Sequence, residues 1–478
     1  GVGSNLTEST EEGDSYTGVG FVNPDMVFIG AAISFEENSS PNGSYDKSRL
    51  VGFFGNVNYG YDNRYFLDLS FRTDGSSKFG RNSRFAPFWS VGVAWNVHKE
   101  AFWSGDEKSS LKLRASVGST GTTNFSSTQA LTTYNYDFSK IYNGVFGVSL
   151  AGYGNPELKW QNTISYNVGV DMTLLKGLVT FNGDFYIKNT ENLLLPLTVA
   201  PSTGFSSYVE NIGKLRNTGI EGRLRLNLIR DTQRDLRWNV TLSAFHNKSK
   251  ITKLSNQLEE INKYANSDWY NQGTVVYRQY EAGRSQTALM MVRSGGIDPA
   301  TGNEVYIKRN GELTFEYDAN DKVKCGDMKP TIEGNVNTNL TWKGFTLYML
   351  FKYQFGAKAY NGTLASKVEG ANPYKNADKR VLYDRWKEPG DHAKFRRIDD
   401  RTSPYQTTRL VFDNDLFSLS SVSLSYELPR DISQKIYADR VRLMLSTTDV
   451  FRLSTIKQER GTSYPFARTF NLSLNVTF

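Results

Sequence analysis

Few residues in this chain have the types and spacing that catalysis or metal binding requires. The three histidines, His98, His246 and His392, are far apart and belong to no HExxH or Cys/His motif. The glycine-rich stretch at 75–80 lacks the GK[ST] of a phosphate-binding loop, and no G-x-S-x-G motif occurs. The sequence therefore offers little support for an enzyme.

Two further features could indicate chemistry but have simpler interpretations. The acidic stretch at 318–321 lacks the Gly and the terminal Glu of an EF-hand loop, which favours a surface turn. Cys325 is the only cysteine, so an intramolecular disulfide is impossible, and a lone cysteine is more often inert than reactive. We therefore expect no enzyme activity, no metal site and no cofactor.

Aromatic residues in long polar stretches give a better chemical signal, which is for ligand binding. Aromatic faces beside amide and hydroxyl groups suit sugars or peptides at a wet pocket mouth. Packing of loops against each other explains any one of these residues equally well. The candidate ligand-binding residues are Trp269, Tyr270, Tyr277, Tyr280, Tyr374, Trp386 and Tyr405.

The segments between these polar stretches are predicted to be β-strands. Apolar and polar residues alternate through many of them, and residues 470–478 carry an apolar side chain at every second position. The 27 Tyr, 29 Phe and 41 Gly favour strands and turns. A mean hydropathy of −0.48 fits a transmembrane β-barrel, because only alternate residues face lipid.

Charged residues on the second face of these strands argue against a dry sandwich core. A watery lumen accepts such residues, where they could guide a substrate. The candidate lumen-facing residues are Asp68, Arg72, Arg114, Glu221, Arg223 and Arg225.

The connections between strands alternate between short and long. About 13 strands can be counted, each near the roughly 9–11 residues that a tilted membrane strand needs. This sorting predicts short periplasmic turns and long extracellular loops. It places residues 1–48 in an extracellular loop region and residues 49–478 in the barrel.

Five tryptophans fall at predicted strand ends, which predicts two aromatic girdles at the membrane surfaces. Packing in an ordinary core is the alternative. These residues are Trp89, Trp95, Trp160, Trp238 and Trp342.

The odd strand count predicts an incomplete barrel. Single-chain bacterial barrels have even strand numbers, and two unpaired edges in lipid are prohibitive. We therefore expect the chain to be the C-terminal part of a larger barrel, with the remaining strands on another chain or fragment.

Several motifs resemble those of a known family in order and spacing. They include 62–68 (DNRYFLD), 72–80 (RTDGSSKFG), 84–90 (RFAPFWS), 296–302 (GIDPATG) and 425–429 (SYELP). Together they resemble the SusC-like TonB-dependent transporters of the Bacteroidota outer membrane. The resemblance runs from about residue 20 to the end.

This resemblance implies a 22-stranded, plugged, all-β antiparallel barrel in the cell outer membrane. The lumen-facing residues named above could therefore guide a substrate or hold the plug, and we favour plug contact, because a plugged lumen needs polar partners. It implies import of oligosaccharides or peptides under a SusD-like lipoprotein, with energy from TonB. The plug domain and the TonB-box segment are absent from this chain, so contact with the TonB complex is expected through another part. Surface adhesion and a passive porin are alternatives. A net charge of +7 from 56 basic and 49 acidic residues is too mild to predict nucleic-acid binding.

Overall fold

The structure is a computed structural model in which strands predominate. It describes residues 1–15, 17–20, 32–35, 42–106, 108–122, 130–152, 154–198, 207–211, 213–254, 259, 262, 279–372, 374, 378–400, 402–456 and 467–478.

Fourteen strands form one antiparallel sheet, in which each strand pairs with its neighbours in chain order. They are β1 (Val2–Ser15), β2 (Asn42–Tyr61), β3 (Tyr65–Ser76), β4 (Phe85–Asn96), β5 (Ser110–Thr122), β6 (Gln161–Leu174), β7 (Val179–Glu191), β8 (Lys214–Asp231), β9 (Leu236–Lys253), β10 (Ile332–Trp342), β11 (Phe345–Phe355), β12 (Leu416–Glu427), β13 (Arg440–Ser454) and β14 (Phe470–Thr477). The predicted all-β, antiparallel class is confirmed.

Shorter elements lie in the connections. Short paired strands are Gly18–Val19, Ser34–Phe35, Thr133–Tyr142, Val145–Gly152, Leu194–Thr198, Ser207–Asn211, Ala288–Met291, Arg293–Ile297, Glu304–Ile307, Leu313–Thr314, Val323–Asp327, Lys358–Tyr360 and Val411–Asp413. The helical turns are Arg81–Ser83, Val97–Lys99, Leu175–Gly177, Ala319–Asp321, Leu364–Glu369, Lys379–Leu382, Thr408–Leu410, Arg430–Ser433 and Gln434–Ile436. None of the helices in the described residues is long and apolar enough to cross a membrane.

β1 corrects the prediction that residues 1–48 form a loop region. Val2–Ser15 pairs with β2 along its whole length, from Val2 opposite Gly55 to Ser15 opposite Asn42. β2 therefore also begins earlier than residue 49. The sheet has fourteen strands, whereas about 13 were predicted. Because fourteen is an even number, the strand count by itself no longer indicates an incomplete barrel.

The pattern missed β1 because its outward positions turn polar after Leu6. Backbone pairing with β2 holds the strand regardless of its side chains. Its carboxylate Glu8 also lies 2.8 Å from Lys47 Nζ and 2.6 Å from Arg49 Nε. Backbone pairing and ion pairs with a distant strand do not require apolar residues at alternate positions, so the sequence pattern did not indicate β1.

The connections are sorted by length between the two ends of the sheet, as predicted. At one end they cover 62–64, 97–109, 175–178, 232–235, 343–344 and 428–439. At the other end they cover 16–41, 77–84, 123–160, 192–213, 254–331, 356–415 and 455–469. Short periplasmic turns and long extracellular loops have this arrangement, so we assign the second end to the outside.

The two faces of the sheet differ in polarity. One face, called the outward face below, carries a continuous set of exposed apolar side chains, as a lipid-facing wall does. They include Phe53, Val57, Leu69, Phe71, Val93, Leu113, Val168, Phe185, Ile220, Leu242, Leu424, Leu443, Leu445, Leu472 and Leu474. The opposite face carries charged residues at alternate positions.

The tryptophans divide between lipid contact and packing. Trp89, Trp238 and Trp342 are exposed at strand ends, as a girdle requires. Trp160 corrects the girdle prediction, because it is buried with its ring 4.2 Å from that of Phe79. The connection between β3 and β4 folds over it.

Candidate functional site in the extracellular loops

The two longest connections, 254–331 and 356–415, join into one unit, called the loop body below. Val292 pairs in parallel with Thr407, and the backbone N–H of Thr408 donates to the Val292 carbonyl at 3.1 Å. The N–H of Ser294 donates to Thr408 Oγ1 at 3.0 Å. These bonds link segments that lie more than 100 residues apart in the sequence.

A tight turn at 298–302 gives the loop body one of its contacts. The Asp298 carboxylate accepts hydrogen bonds from the N–H of Thr301 at 3.0 Å and from its hydroxyl at 2.6 Å. Gly302 follows at a φ of 74°, a conformation that favours glycine. Its missing Cβ would lie 2.5 Å from Trp386 Cδ2, so the indole packs directly on this turn. Trp386 Nε1 also donates to the Pro299 carbonyl at 2.8 Å.

Buried ion pairs hold the two connections together. Arg409 donates to Glu304 Oε2 at 3.0 Å and to Glu369 Oε2 at 2.7 Å. Arg396 donates to Glu369 Oε1 at 2.7 Å and to Asp400 Oδ2 at 2.6 Å. Glu304 and Glu369 side chains are each 1% exposed, so these charges depend on each other for solvation. The network is therefore a rigid junction between the loops.

Neighbouring groups show how dry this junction is. Burial chiefly raises the pKa of Tyr306 and of Tyr360, and the Glu304 and Glu369 charges add to that effect. Burial also lowers the pKa of Arg385, which donates to the carbonyls of Val368 and Val381. These shifts indicate that little water surrounds the ion pairs of the junction.

A groove of about 640 Å³ lies beside the junction. Its lining residues are Val381, Leu382, Arg385, Trp386, Lys387, Arg397, Ile398 and Asp399. Leu382 and Ile398 are exposed apolar groups, and Lys387 and Arg397 provide cations. The Arg397 hydrogen bond lowers the pKa of Asp399 to about 2. The groove can thus hold an apolar or ring-shaped group next to a charged edge.

Those predicted ligand-binding residues that the structure describes do not converge on one pocket. Trp269, Tyr270 and Tyr277 lie outside the described residues. Tyr280 is half-buried, and its N–H donates to Asn262 Oδ1 at 2.8 Å.

The other predicted residues have different surroundings. Tyr374 is 80% exposed. Tyr405 stacks on Tyr317 with ring centroids 4.0 Å apart, so it packs loop against loop. Trp386 combines both roles, because it packs on the 298–302 turn and lines the groove.

Sequence reasoning missed Leu382, Lys387, Arg397 and Ile398 as groove residues. The sequence feature that could have indicated them is the presence of an isolated Leu and an isolated Ile within the charged stretch at 379–400. An exposed apolar residue in a charged loop is otherwise common and uninformative.

Two of the six predicted lumen-facing residues are paired within the wall. Arg114 lies 2.7 Å from Asp171 and 3.1 Å from Asp184. Arg72 donates to Asp74 Oδ2 at 2.7 Å.

The remaining four lie on the same face. Asp68 is opposite Asn58 and Gly92. On β8, Glu221, Arg223 and Arg225 are opposite Asp184, Asn182 and Thr180 of β7. The wall thus offers charge to the lumen, and plug contact remains a prediction.

Metal and thiol chemistry have little basis in the part of the chain that the structure describes. There, no group of three or more His, Cys, Asp or Glu residues is arranged to hold a metal ion. Cys325 is half-buried and its Sγ lies 3.4 Å from the Leu289 carbonyl. Burial raises the pKa of this thiol, which lowers its reactivity at neutral pH.

Sequence comparisons identify relatives. The family model described as "TonB dependent receptor-like, beta-barrel" matches residues 2–296. The TonB-dependent receptor P3 of Formosa agariphila is 28% identical, over 94% of this chain and 47% of the relative. The TonB-dependent receptor SusC of Bacteroides thetaiotaomicron is 25% identical, over 76% of this chain and 38% of the relative. The chain spans less than half the length of these two relatives.

Structural comparison gives the same fold. The structure of the RagAB peptide transporter matches with a TM-score of 0.80 at 23% identity, over 96% of this chain and 50% of that one. The RagAB peptide importer in its "open-open" state also gives 0.80, over 100% of this chain and 52% of that one. At such identities the likeness establishes the fold alone.

Proposed function

The chain belongs to the TonB dependent receptor-like β-barrel family, and on this premise we propose that it forms part of the wall of a nutrient importer. Proteins of this family are receptors and transporters of the outer membrane, not enzymes. The cargo in this proposal is an oligosaccharide or a peptide, and the energy comes from TonB.

The groove beside Trp386 is the observation that carries this proposal. It lies in the loop body, on the extracellular side, where cargo first meets the protein. Trp386, Leu382 and Ile398 offer aromatic and aliphatic faces to a sugar ring or a peptide side chain. Lys387 offers a cation to an acidic group on the same cargo, whereas Arg397 is already paired with Asp399.

The open edges and the charged lumen face of the sheet support two further partners within the barrel, which are additional strands and a plug. Among the described residues, β1 and β14 each pair with one neighbour, which leaves one edge of each strand open. An unpaired backbone group in hydrocarbon costs several kcal/mol, so both edges need partner strands. We place these strands and a plug on another part of the protein or on another chain. The plug would contact the charged lumen face and connect it to the TonB complex.

A SusD-like lipoprotein is the proposed partner on the outside. The loop body exposes Leu382, Tyr383 and Ile398, each more than half exposed. Clustered apolar side chains on an otherwise polar loop surface support a protein contact there. The likeness to the TonB-dependent receptor SusC supports this assignment.

Uptake by cells carrying the full-length protein tests the proposal. We expect labelled peptides or oligosaccharides to enter the cells and a protonophore to stop their entry. Trp386→Ala should weaken cargo binding by about tenfold, which corresponds to a contact of about 1.4 kcal/mol. Phe102→Ala is the matched control, because it removes an exposed aromatic from a short turn.

Two outcomes would contradict the proposal. A steady open conductance in planar bilayers without TonB would indicate a passive porin. Surface binding without uptake would indicate an adhesin. Deletion of 357–415 should also reduce co-purification of the lipoprotein, and unchanged co-purification would contradict the assigned docking surface.

A further inference from the structure

A groove crosses the outward face of the sheet over β6 to β9, away from the loop body. Its floor is a row of small residues in cross-strand register. Gly183 of β7 is opposite Gly222 of β8, and Gly222 is opposite Ala244 of β9. The groove has a volume of about 550 Å³.

Large apolar side chains form the walls of this groove. On the extracellular side, Val168, Phe185 and Ile220 follow one another across three strands and are 60%, 46% and 57% exposed. On the periplasmic side, the Phe181 ring covers Gly183, where a Cβ would be 2.9 Å from the ring, and it lies 3.6 Å from where a Cβ of Gly222 would be. The groove is therefore an apolar channel between two ridges.

Tyr353 closes the floor on the β10 side. Its ring lies over Gly334, the next member of the small-residue row, where a Cβ would be 2.6 Å from the Tyr353 hydroxyl oxygen. That hydroxyl donates to the Ser243 carbonyl at 2.9 Å. The hydroxyl of Tyr353 is thus satisfied. His246 also lines the groove, and its Nδ1 lies 2.5 Å from the Thr331 carbonyl oxygen.

A cluster of cations lies on the same face toward the extracellular end. Arg216 of β8 is directly opposite Lys250 of β9, and Lys248 is exposed two residues away. Like charges in directly opposed positions destabilise a strand pair. Arg216 binds the neutral Asn189, and the nearby Glu191 is bound by Lys214. The pair would therefore be stabilised by a shared external anion.

The spacing of groove and cations matches a lipid molecule. Lys248 and Lys250 lie ten and twelve residues from Trp238, which is exposed at the periplasmic end of β9. This separation is roughly 33–40 Å along the strand and, at a tilt of about 40°, roughly 25–30 Å along the membrane normal. The apolar band of an outer-membrane barrel is about 25 Å tall. The cations therefore lie at head-group level, and the groove lies at acyl-chain level beneath them.

We propose that the groove and the cation cluster together bind a phosphorylated glycolipid of the extracellular leaflet. One acyl chain occupies the floor over Gly222 and Ala244, where it restores the dispersion contacts that an unfilled channel lacks. A phosphate bridges Arg216 and Lys250 and removes their repulsion. Asn189 and Thr218 lie beside these cations and can bond sugar hydroxyls. The site does not depend on the proposed transport.

Native mass spectrometry of the full-length protein in detergent tests the head-group contact. The probes are diphosphorylated lipid A and the same lipid without its phosphates. The wild type should retain the phosphorylated form, and Arg216→Gln with Lys250→Gln should weaken that binding roughly 25-fold, about fivefold for each cation. Lys47→Gln with Arg49→Gln is the matched control, because this pair lies on the same face but shares Glu8.

Gly222→Leu tests the acyl-chain contact. The new side chain has room at its Cβ and fills the channel, so binding should fall roughly tenfold as chain methylenes are displaced. Gly55→Leu is the control, since its Cβ would meet only the Gly1 carbonyl at 3.7 Å. Heat-modifiable migration on gels checks that each variant folds.

Three results would overturn the proposal. The first is equal binding of both lipids by the wild type. The second is full binding by the Arg216/Lys250 and Gly222 variants. The third is an equal loss in the two controls.

Discussion

Single residues on the outward face differ in what they tolerate. A Cβ at Gly334 would lie 2.0 Å from the Ser243 carbonyl oxygen, whereas one at Gly222 meets nothing closer than 3.6 Å. We expect Gly334→Ala to destabilise the barrel by about 1–3 kcal/mol, because the strand pair must move apart. Gly222→Ala should change stability by less than about 0.5 kcal/mol. Urea unfolding in detergent measures both, and equal effects would contradict this account.

Lys322 is predicted to make the stability of the loop body depend on pH. It is 3% exposed, and burial lowers its pKa from 10.5 to about 8. Between these values the unfolded chain holds the proton that the buried amine has lost, so stability should rise with pH by at most about 1.4 kcal/mol per unit. Below about pH 8 the amine is protonated in both the folded and the unfolded chain, so burial of its charge lowers stability by a constant amount.

Lys322→Met should remove that dependence and slow protease cleavage of the loop body at neutral pH. The variant and the wild type are compared at each pH with the same protease, because the activity of the protease also changes with pH. A difference between the two proteins that stays constant from neutral to about pH 10 would contradict the assignment.

At the scale of elements, the junction of the two long connections depends on Glu369. Its carboxylate accepts hydrogen bonds from Arg396 and Arg409. Glu369→Gln would remove the negative charge that these two buried guanidinium groups share. We expect a loss of about 3–5 kcal/mol within the loop body. Glu312→Gln, which breaks the exposed pair with Lys308, should leave the stability of the loop body nearly unchanged, because water screens that pair.

Limited proteolysis of intact membranes measures this difference as cleavage within 356–415. Faster cleavage for Glu369→Gln alone is the expected result. Equal rates for Glu369→Gln and the wild type would show that the junction does not hold the loops.

Prediction of elements succeeded where a local pattern existed. Strands such as β8 and β14 carry apolar residues at alternate positions, and their bounds follow from that period. β1 lacks the pattern, and its strand structure depends on β2 residues that come some 40 positions later. The groove residues Leu382 and Ile398 meet only when the 356–415 connection folds.

For the whole molecule, the open edges of β1 and β14 predict a partner for the sheet. If the barrel has 22 strands, as the resemblance implies, eight remain outside this sheet. Intact-mass measurement and N-terminal sequencing of everything that purifies with residues 1–478 should find a plug and about eight strands. They would be either covalently joined or on a second polypeptide, and their absence from a folded preparation would contradict the incomplete-barrel proposal.

The sequence by itself determined the class of fold, the sorting of the connections and the polarity of the two faces. These properties follow from alternation along each strand, which is local and needs no partner. Tertiary structure decided the pairing of β1, the burial of Trp160 and the junction of Glu304 with Arg409, which are 105 residues apart. It also aligned Gly183, Gly222 and Ala244 in one row. Strand register and contacts between loops depend on distant segments, and no local pattern encodes them.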